Sequence, residues 1–254
     1  MKHIPNLFTL LNLFFGCCAI VFLLQNGISV FYNGENPQLV EMQEKTTIAS
    51  LFIGLAAVVD FLDGFAARLF KATSAMGKQL DSLADVVSFG VAPGMILYQF
   101  LRLSYANQEN GLDVSMIWLL PAFILPCAAA WRLAKFNIDE GQQYSFRGVP
   151  TPAVGLLVAS FPLIYWYSND PTVVDLMRNK WLMYAIILIL SYLMVSNWPI
   201  MSLKFKDFSL KNNIPKIILL AVSIVLVLFL KWLAVPAIFI LYIALSLAFK
   251  NKTA

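Results

Sequence analysis

Four carboxylates, Asp60, Asp63, Asp81 and Asp85, stand within 26 residues of chain between strongly apolar runs. Asp60 and Asp63 are three residues apart; Asp81 and Asp85 are four apart. On helices, either spacing puts both side chains on one face. Carboxylates at membrane depth are costly and mark functional sites by default. Four together also repel unless a cation sits among them. Oxygen ligands of this kind suit Mg2+ or Mn2+, with substrate phosphates completing the coordination. The stretch therefore reads as a divalent-metal site. Two ions about 4 Å apart would clamp the attacking and leaving oxygens of a phosphoryl displacement. The structural alternative is an ion-pair network, but only Arg68, Lys71 and Lys78 lie near enough in sequence to neutralise four acids.

Two helices must position these groups. One runs through Asp60 to Phe70, and the next starts at about Gln79. A link of only about nine residues makes them antiparallel neighbours, so that all four acids converge. Gly64, Ala66, Ala67, Ala72, Ala75 and Gly77 keep the helix faces low. That serves either the approach of a phosphate to the backbone or close helix packing. Arg68 follows one turn after Gly64, and its planar fork suits phosphate oxygens.

The chain around this stretch is 60% hydrophobic and 13% charged, with a mean hydropathy of +0.75. Soluble domains carry about a quarter charged residues, so the expectation is an all-α polytopic membrane bundle forming a single domain over residues 1–254. Apolar windows fall near 7–25, 47–69, 80–101, 114–136, 152–168, 181–196, 214–231 and 233–249. That predicts about eight transmembrane helices, six forming a catalytic core and two following it. Lys231 and Pro236 mark either a tight turn or a kink between the last two.

Charge sets the orientation. With the N-terminus on the cytoplasmic side, thirteen of the 18 basic residues fall on that side; Lys45, Arg102, Arg178, Lys180 and Lys231 fall opposite. The positive-inside bias then places the acid cluster on the cytoplasmic face of the cell's inner membrane. The net charge of +4 suits anionic headgroups, and no nucleic-acid partner is expected. Cys17, Cys18 and Cys127 have no metal-type spacing and read as reduced core residues. A single histidine, His3, excludes histidine-based catalysis, and no cleaved leader is expected.

The acid pattern is more specific than paired aspartates. Asp60-x2-Asp63-Gly64-x2-Ala67-Arg68-x8-Gly77-x3-Asp81-x3-Asp85 resembles the full signature of the CDP-alcohol phosphotransferase family. The resemblance implies a reaction in which a CDP-linked lipid gives its phosphatidyl group to an alcohol and CMP leaves. It implies that Asp60, Asp63 and Asp81 hold one metal and Asp60, Asp81 and Asp85 the other, with Asp85 also taking the proton of the attacking hydroxyl. It further implies that Gly64, Arg68 and Ser74 contact the CDP moiety, within a motif that also fixes Ala67 and Gly77. Such a reaction needs charge neutralisation and in-line positioning more than a protein nucleophile. By the same resemblance Asn6 and Thr9, at the start of the first span, touch the nucleotide; the alternative for both is a helix cap. A homodimer is also implied, with the later helices free to form its contact.

Other segments narrow the acceptor. Residues 79–93, Leu133-Ala134-Lys135-Phe136-Asn137, residues 146–153 and residues 191–196 are similar to the phosphatidylserine synthases of that family. This implies CDP-diacylglycerol and L-serine as substrates, in phospholipid biosynthesis. Lys135 departs from the pattern, which usually has arginine there, so the charge is kept and the bidentate fork is lost. A serine carboxylate needs a cation, and Arg132, Lys135 and Arg147 flank the fourth and fifth spans on the expected cytoplasmic side. They serve either that carboxylate, the lipid phosphate, or topology as positive-inside anchors. Asn137 either orients a polar group or caps a helix.

Three other functions share part of this pattern. Synthases of the same family acting on glycerol 3-phosphate or inositol share the motif. Membrane prenyltransferases also use aspartates and Mg2+, but place two acidic motifs far apart, and no second cluster exists here. A cation transporter needs intramembrane carboxylates but neither Arg68 nor the fixed glycines.

Overall fold

The computed structural model describes residues 4–33, 36–69, 74–106, 113–138, 146–201 and 213–249. It is an all-α bundle of ten α-helices among the described residues, with two small β-ribbons. Helix α1 spans Ile4–Gln25 and α2 spans Thr46–Leu69. A long rod then runs through α3, Ala75–Val86, a π-turn at Val87–Val91, and α4, Ala92–Ala106. Helix α5 is Ile124–Ile138, α6 Thr151–Tyr167, α7 Pro171–Met177 and α8 Lys180–Val195. Helices α9, Ile214–Leu230, and α10, Ala234–Ala248, complete the bundle.

Among the described residues four stretches are long and apolar enough to cross a membrane: Asn6–Gln25, Thr46–Phe65, Ala75–Ala106 and Ile214–Ala248, beside the shorter apolar helices Thr151–Tyr167 and Lys180–Val195. The last stretch is two spans. Lys231 has φ 49°, the one positive-φ non-glycine among the described residues, and no α-helix continues through it. The turn at Lys231 shares a cleft of about 450 Å³ with Asn169 and Pro171 at one end of the bundle. Tyr242 and Ser246 bond Met201 at the other end. Helices α9 and α10 therefore form an antiparallel hairpin, as Lys231 and Pro236 allowed. Helix α7, at 7 residues, reaches only about 10 Å and cannot span.

Three local features depart from the expectation. The segment joining α1 and α2 folds into an antiparallel ribbon, β1 (Ile28–Asn33) on β2 (Asn36–Met42), with Ile28 opposite Met42 and Val30 opposite Val40. The window expected at 114–136 enters through 3-10 turns at Met116–Trp118 and Leu120–Phe123 before α5 begins; Pro121 lacks an N–H and suits such a start. Helix α3 starts earlier than expected, because Ser74 is its N-cap and accepts from the Gly77 amide at 2.9 Å.

The core is built around the rod. Phe89, Phe100, Leu97 and Leu101 are fully buried against α1, α6 and α8. Helix α1 packs along α2 on one side and against α3 and the π-turn on the other. Gly16 makes this approach possible: a Cβ there would fall on Ser88, 2.9 Å from its Cα. Contact this close also carries a hydrogen bond, Ser88 Oγ donating to the Asn12 carbonyl at 3.0 Å. Exposed sides of the outer helices are lined by large apolar groups such as Leu220, Leu228 and Phe229, as a lipid-facing surface requires.

Glycine-to-alanine exchange in a helix ordinarily stabilises by up to about 1 kcal/mol. Gly16→Ala is expected to do the reverse and lower the thermal stability of the detergent-solubilised protein by about 1–3 kcal/mol, through overpacking against Ser88. A melting temperature at or above that of the wild type would show that α1 and the π-turn are not in the contact described.

Candidate active site

The acids sit where α2 ends and α3 begins. Asp60 and Asp63 follow one another on the same side of α2, and Asp81 and Asp85 on the same side of α3. One carboxylate oxygen from each of Asp60, Asp81 and Asp85 lies within 4.8 Å of the other two. Asp63 and Asp85 are buried, at 7% and 6% exposure, while Asp60 and Asp81 are half-buried. Two full charges about 5 Å apart repel by roughly 3 kcal/mol at an effective dielectric of about 20. A cluster of this kind holds together with a cation, and its oxygen-only donors match Mg2+ or Mn2+.

Helix α1 supplies the parts that orient the acids. Thr9 Oγ1 donates to Asp63 Oδ2, and Asn12 Nδ2 donates to Asp85 Oδ1 at 3.3 Å. Thr9 and Asn12 are three apart on α1 and both are buried, at 2% and 0% exposure. Thr9, expected at the nucleotide or in a cap, is thus found on Asp63. Asn6 lies a further turn back. A Cβ on Gly77 would come within 3.1 Å of both Asn6 Oδ1 and Ser74 Oγ, so Gly77 lets the start of α1 close on the start of α3. A Cβ on Gly64 would meet nothing within 4 Å, which leaves the face of α2 beside Asp60 and Asp63 approachable. The expected antiparallel packing of α2 on α3 is largely replaced by α1, which packs closely on both.

The acceptor-side candidates separate. Arg132, on α5, is buried and donates through Nη1 to Thr151 Oγ1 at 3.2 Å; its charge acts on Asp85. Its Nε is buried with no hydrogen-bond partner among the described residues. Lys135 instead reaches Asn197 Oδ1 at 2.9 Å on the exposed side. Asn137 ties α5 to α3: its Nδ2 donates to Ser82 Oγ at 2.9 Å and Gln79 Oε1 at 3.3 Å, and its carbonyl accepts from Lys78 Nζ at 3.0 Å. Arg147 lies in β3, Phe146–Arg147, whose backbone pairs with β4, Pro199–Ile200. The side chains of Arg147, Ala67 and Arg68, and all of Lys71 and Ala72, fall outside the described residues.

Sequence reasoning passed over Asn12, Ser88 and Thr151. A signal for the first was present: Asn6, Thr9 and Asn12 make a polar stripe at three-residue spacing on an otherwise apolar helix, as a buried polar contact demands.

A half-buried cluster of carboxylates in a helical membrane bundle, beside a low helix face, could hold a divalent cation. A model of the CDP-alcohol phosphatidyltransferase family matches residues 2–195, and the chain belongs to that family. It is 33% identical over 225 residues to a CDP-diacylglycerol–serine O-phosphatidyltransferase of Helicobacter pylori, covering 88% of this chain and 81% of that one. The Bacillus subtilis protein of the same name is 33% identical over 65% of this chain and 78% of its own. An archaetidylserine synthase of Methanothermobacter thermautotrophicus is 31% identical over 52% of this chain and 53% of its own.

Groups that orient metal ligands typically contribute 10–100-fold to affinity or activity. Asn12→Ala is therefore expected to weaken Mn2+ binding, read by electron paramagnetic resonance of the free ion, by roughly tenfold or more. Unchanged Mn2+ affinity would remove Asn12 from the support of Asp85.

Proposed function

We propose that this protein transfers the phosphatidyl group of CDP-diacylglycerol to the hydroxyl of L-serine, giving phosphatidylserine and CMP. The observation that carries the reading is the convergence of Asp60, Asp81 and Asp85 within 4.8 Å, inside the family signature. Relatives named as serine phosphatidyltransferases support the acceptor.

The residues divide the work. Asp60, Asp63, Asp81 and Asp85 are the ligands for Mg2+ or Mn2+; when bound, the metal neutralises the pyrophosphate and the charge that develops on it. Gly64, Ala67, Arg68, Ser74 and Gly77 form the CDP side, with Asn6 and Thr9 behind it. The serine Oγ attacks the phosphorus that carries the diacylglycerol. The bond from that phosphorus to the bridging oxygen breaks, and CMP leaves with the electron pair. Asp85 accepts the hydroxyl proton, with Asn12 orienting its carboxylate. Arg132 faces Asp85 and supplies positive charge for the serine carboxylate or the lipid phosphate; Arg147, Lys135 and Asn137 complete the acceptor side.

The positive-inside bias supports a cytoplasmic active site in the inner membrane, where CMP and serine are soluble. The family resemblance supports a homodimer, with its contact on the later helices.

Membranes containing the protein, given CDP-diacylglycerol, Mn2+ or Mg2+ and labelled serine, are expected to release CMP and label phosphatidylserine, and chelation is expected to stop both. CMP release with glycerol 3-phosphate or inositol but not serine would overturn the acceptor. No CMP release with any alcohol would overturn the reaction. Asp85→Asn is expected to keep CDP-lipid binding and lower turnover by at least about a hundredfold, the scale of a lost general base. Retained turnover would remove Asp85 from that role.

A further inference from the structure

The family match ends at residue 195, yet the chain continues into the α9–α10 hairpin, and α10 returns to the site end of the bundle. Two of its side chains, Tyr242 and Ser246, are one turn apart and buried at 6% and 0% exposure. Tyr242 donates its hydroxyl to the Met201 carbonyl at 2.8 Å. The Met201 amide donates to Ser246 Oγ at 3.1 Å, and Ser246 donates in turn to the Tyr242 carbonyl at 2.7 Å. Both main-chain groups of Met201 are thus held by one face of α10. Such buried bonds are needed, since an unpaired backbone group in an apolar bundle is costly.

Met201 directly follows β4, and β4 pairs Phe146 with Ile200 and Arg147 with Pro199. The stitching continues upward: the Gly148 amide donates to the Trp198 carbonyl at 2.9 Å, and the Val149 amide to the Leu193 carbonyl at 3.0 Å. Gly148 has φ +76°, and a Cβ there would strike the Met194 carbonyl. The backbone carrying Arg147 is therefore fixed to the end of α8, and through Met201 to α10. A second link runs through Arg132. This side chain binds Thr151, two residues after Val149 at the start of α6, and its charge acts on Asp85.

We propose that the inner face of α10, through Tyr242 and Ser246, is a positioning element for the acceptor half of the active site. It sets the β3–β4 ribbon that carries Arg147 and, through the backbone that runs on from the ribbon to Thr151, the partner of Arg132. The proposal rests on the reading of Arg132 and Arg147 as acceptor-side cations. Neither α10 residue touches the reacting atoms. A helical hairpin added to the family core thereby governs how the alcohol is held, while the nucleotide side stays with α1, α2 and α3.

The test uses the full-length protein in mixed micelles, with Tyr242→Phe, Ser246→Ala and Ser246→Thr. Tyr242→Phe and Ser246→Ala are expected to raise the KM for serine about fivefold or more, the effect of losing one positioning hydrogen bond, and to leave the KM for CDP-diacylglycerol within about twofold. Ser246→Thr keeps the hydroxyl and is expected to restore the serine KM. A parallel rise in both KM values, or an unchanged serine KM in both variants, would overturn the proposal. If the wild type uses a different alcohol, the acceptor named above fails by itself, and the same split is read with the alcohol that releases CMP. Amide hydrogen exchange gives a readout free of any substrate. The amides of Gly148, Val149 and Met201 are expected to exchange faster in Tyr242→Phe than in the wild type, with those of α1 unchanged. Equal exchange at all three would overturn the proposal whatever the activity.

Discussion

The arrangement of the site depends on one constraint: carboxylates from two helices must stay close together in spite of their charge. Asp60, Asp81 and Asp85 sit within 4.8 Å of one another, where each unscreened pair repels by a few kcal/mol. A bound cation offsets that repulsion, but it does not aim the carboxylates. The aim comes from α1, whose Thr9 and Asn12 hold Asp63 and Asp85 from one buried stripe. Because α1 packs on both α2 and α3, it sets the direction of their acids together. Gly16 and Ser88 fix its depth.

Around that wedge, the π-turn has a clear mechanical role. A single widened turn at Val87–Val91 lets α3 present Asp81 and Asp85 to the site while α4 presents Leu97, Phe100 and Leu101 to the core. Such π-turns recur where a helix must serve chemistry and packing in one rod. The proposed acceptor side is organised differently. There Arg132 is held by Thr151, Lys135 by Asn197, and the backbone at Arg147 by the β3–β4 ribbon. Small polar contacts between separate elements replace a single wedge.

Much of this was legible beforehand. The acid motif, the all-α form and the membrane character follow from short-range patterns: three- and four-residue spacings, apolar runs and the placement of Lys and Arg. Lys231 and Pro236 marked the last turn without deciding between a kink and a reversal. Neither the ribbon at 28–42 nor the 3-10 entry before α5 could be read, since apolar windows report burial in lipid and not backbone form. The acceptor candidates were found as a charge cluster, but charge alone does not say which cation turns inward.

The acid motif could be read from the chain because Asp60, Asp63, Gly64, Arg68, Asp81 and Asp85 lie close together in it and keep their spacing on any helix. How those groups are aimed depends on contacts that form only when the helices pack. Asn12 meets Asp85 across 73 residues, Ser88 meets Asn12 across 76, and Tyr242 meets Met201 across 41. Contacts at such separations leave no periodic trace in the chain. They exist because buried polar groups must find partners, and which partner each finds is settled only when the helices pack.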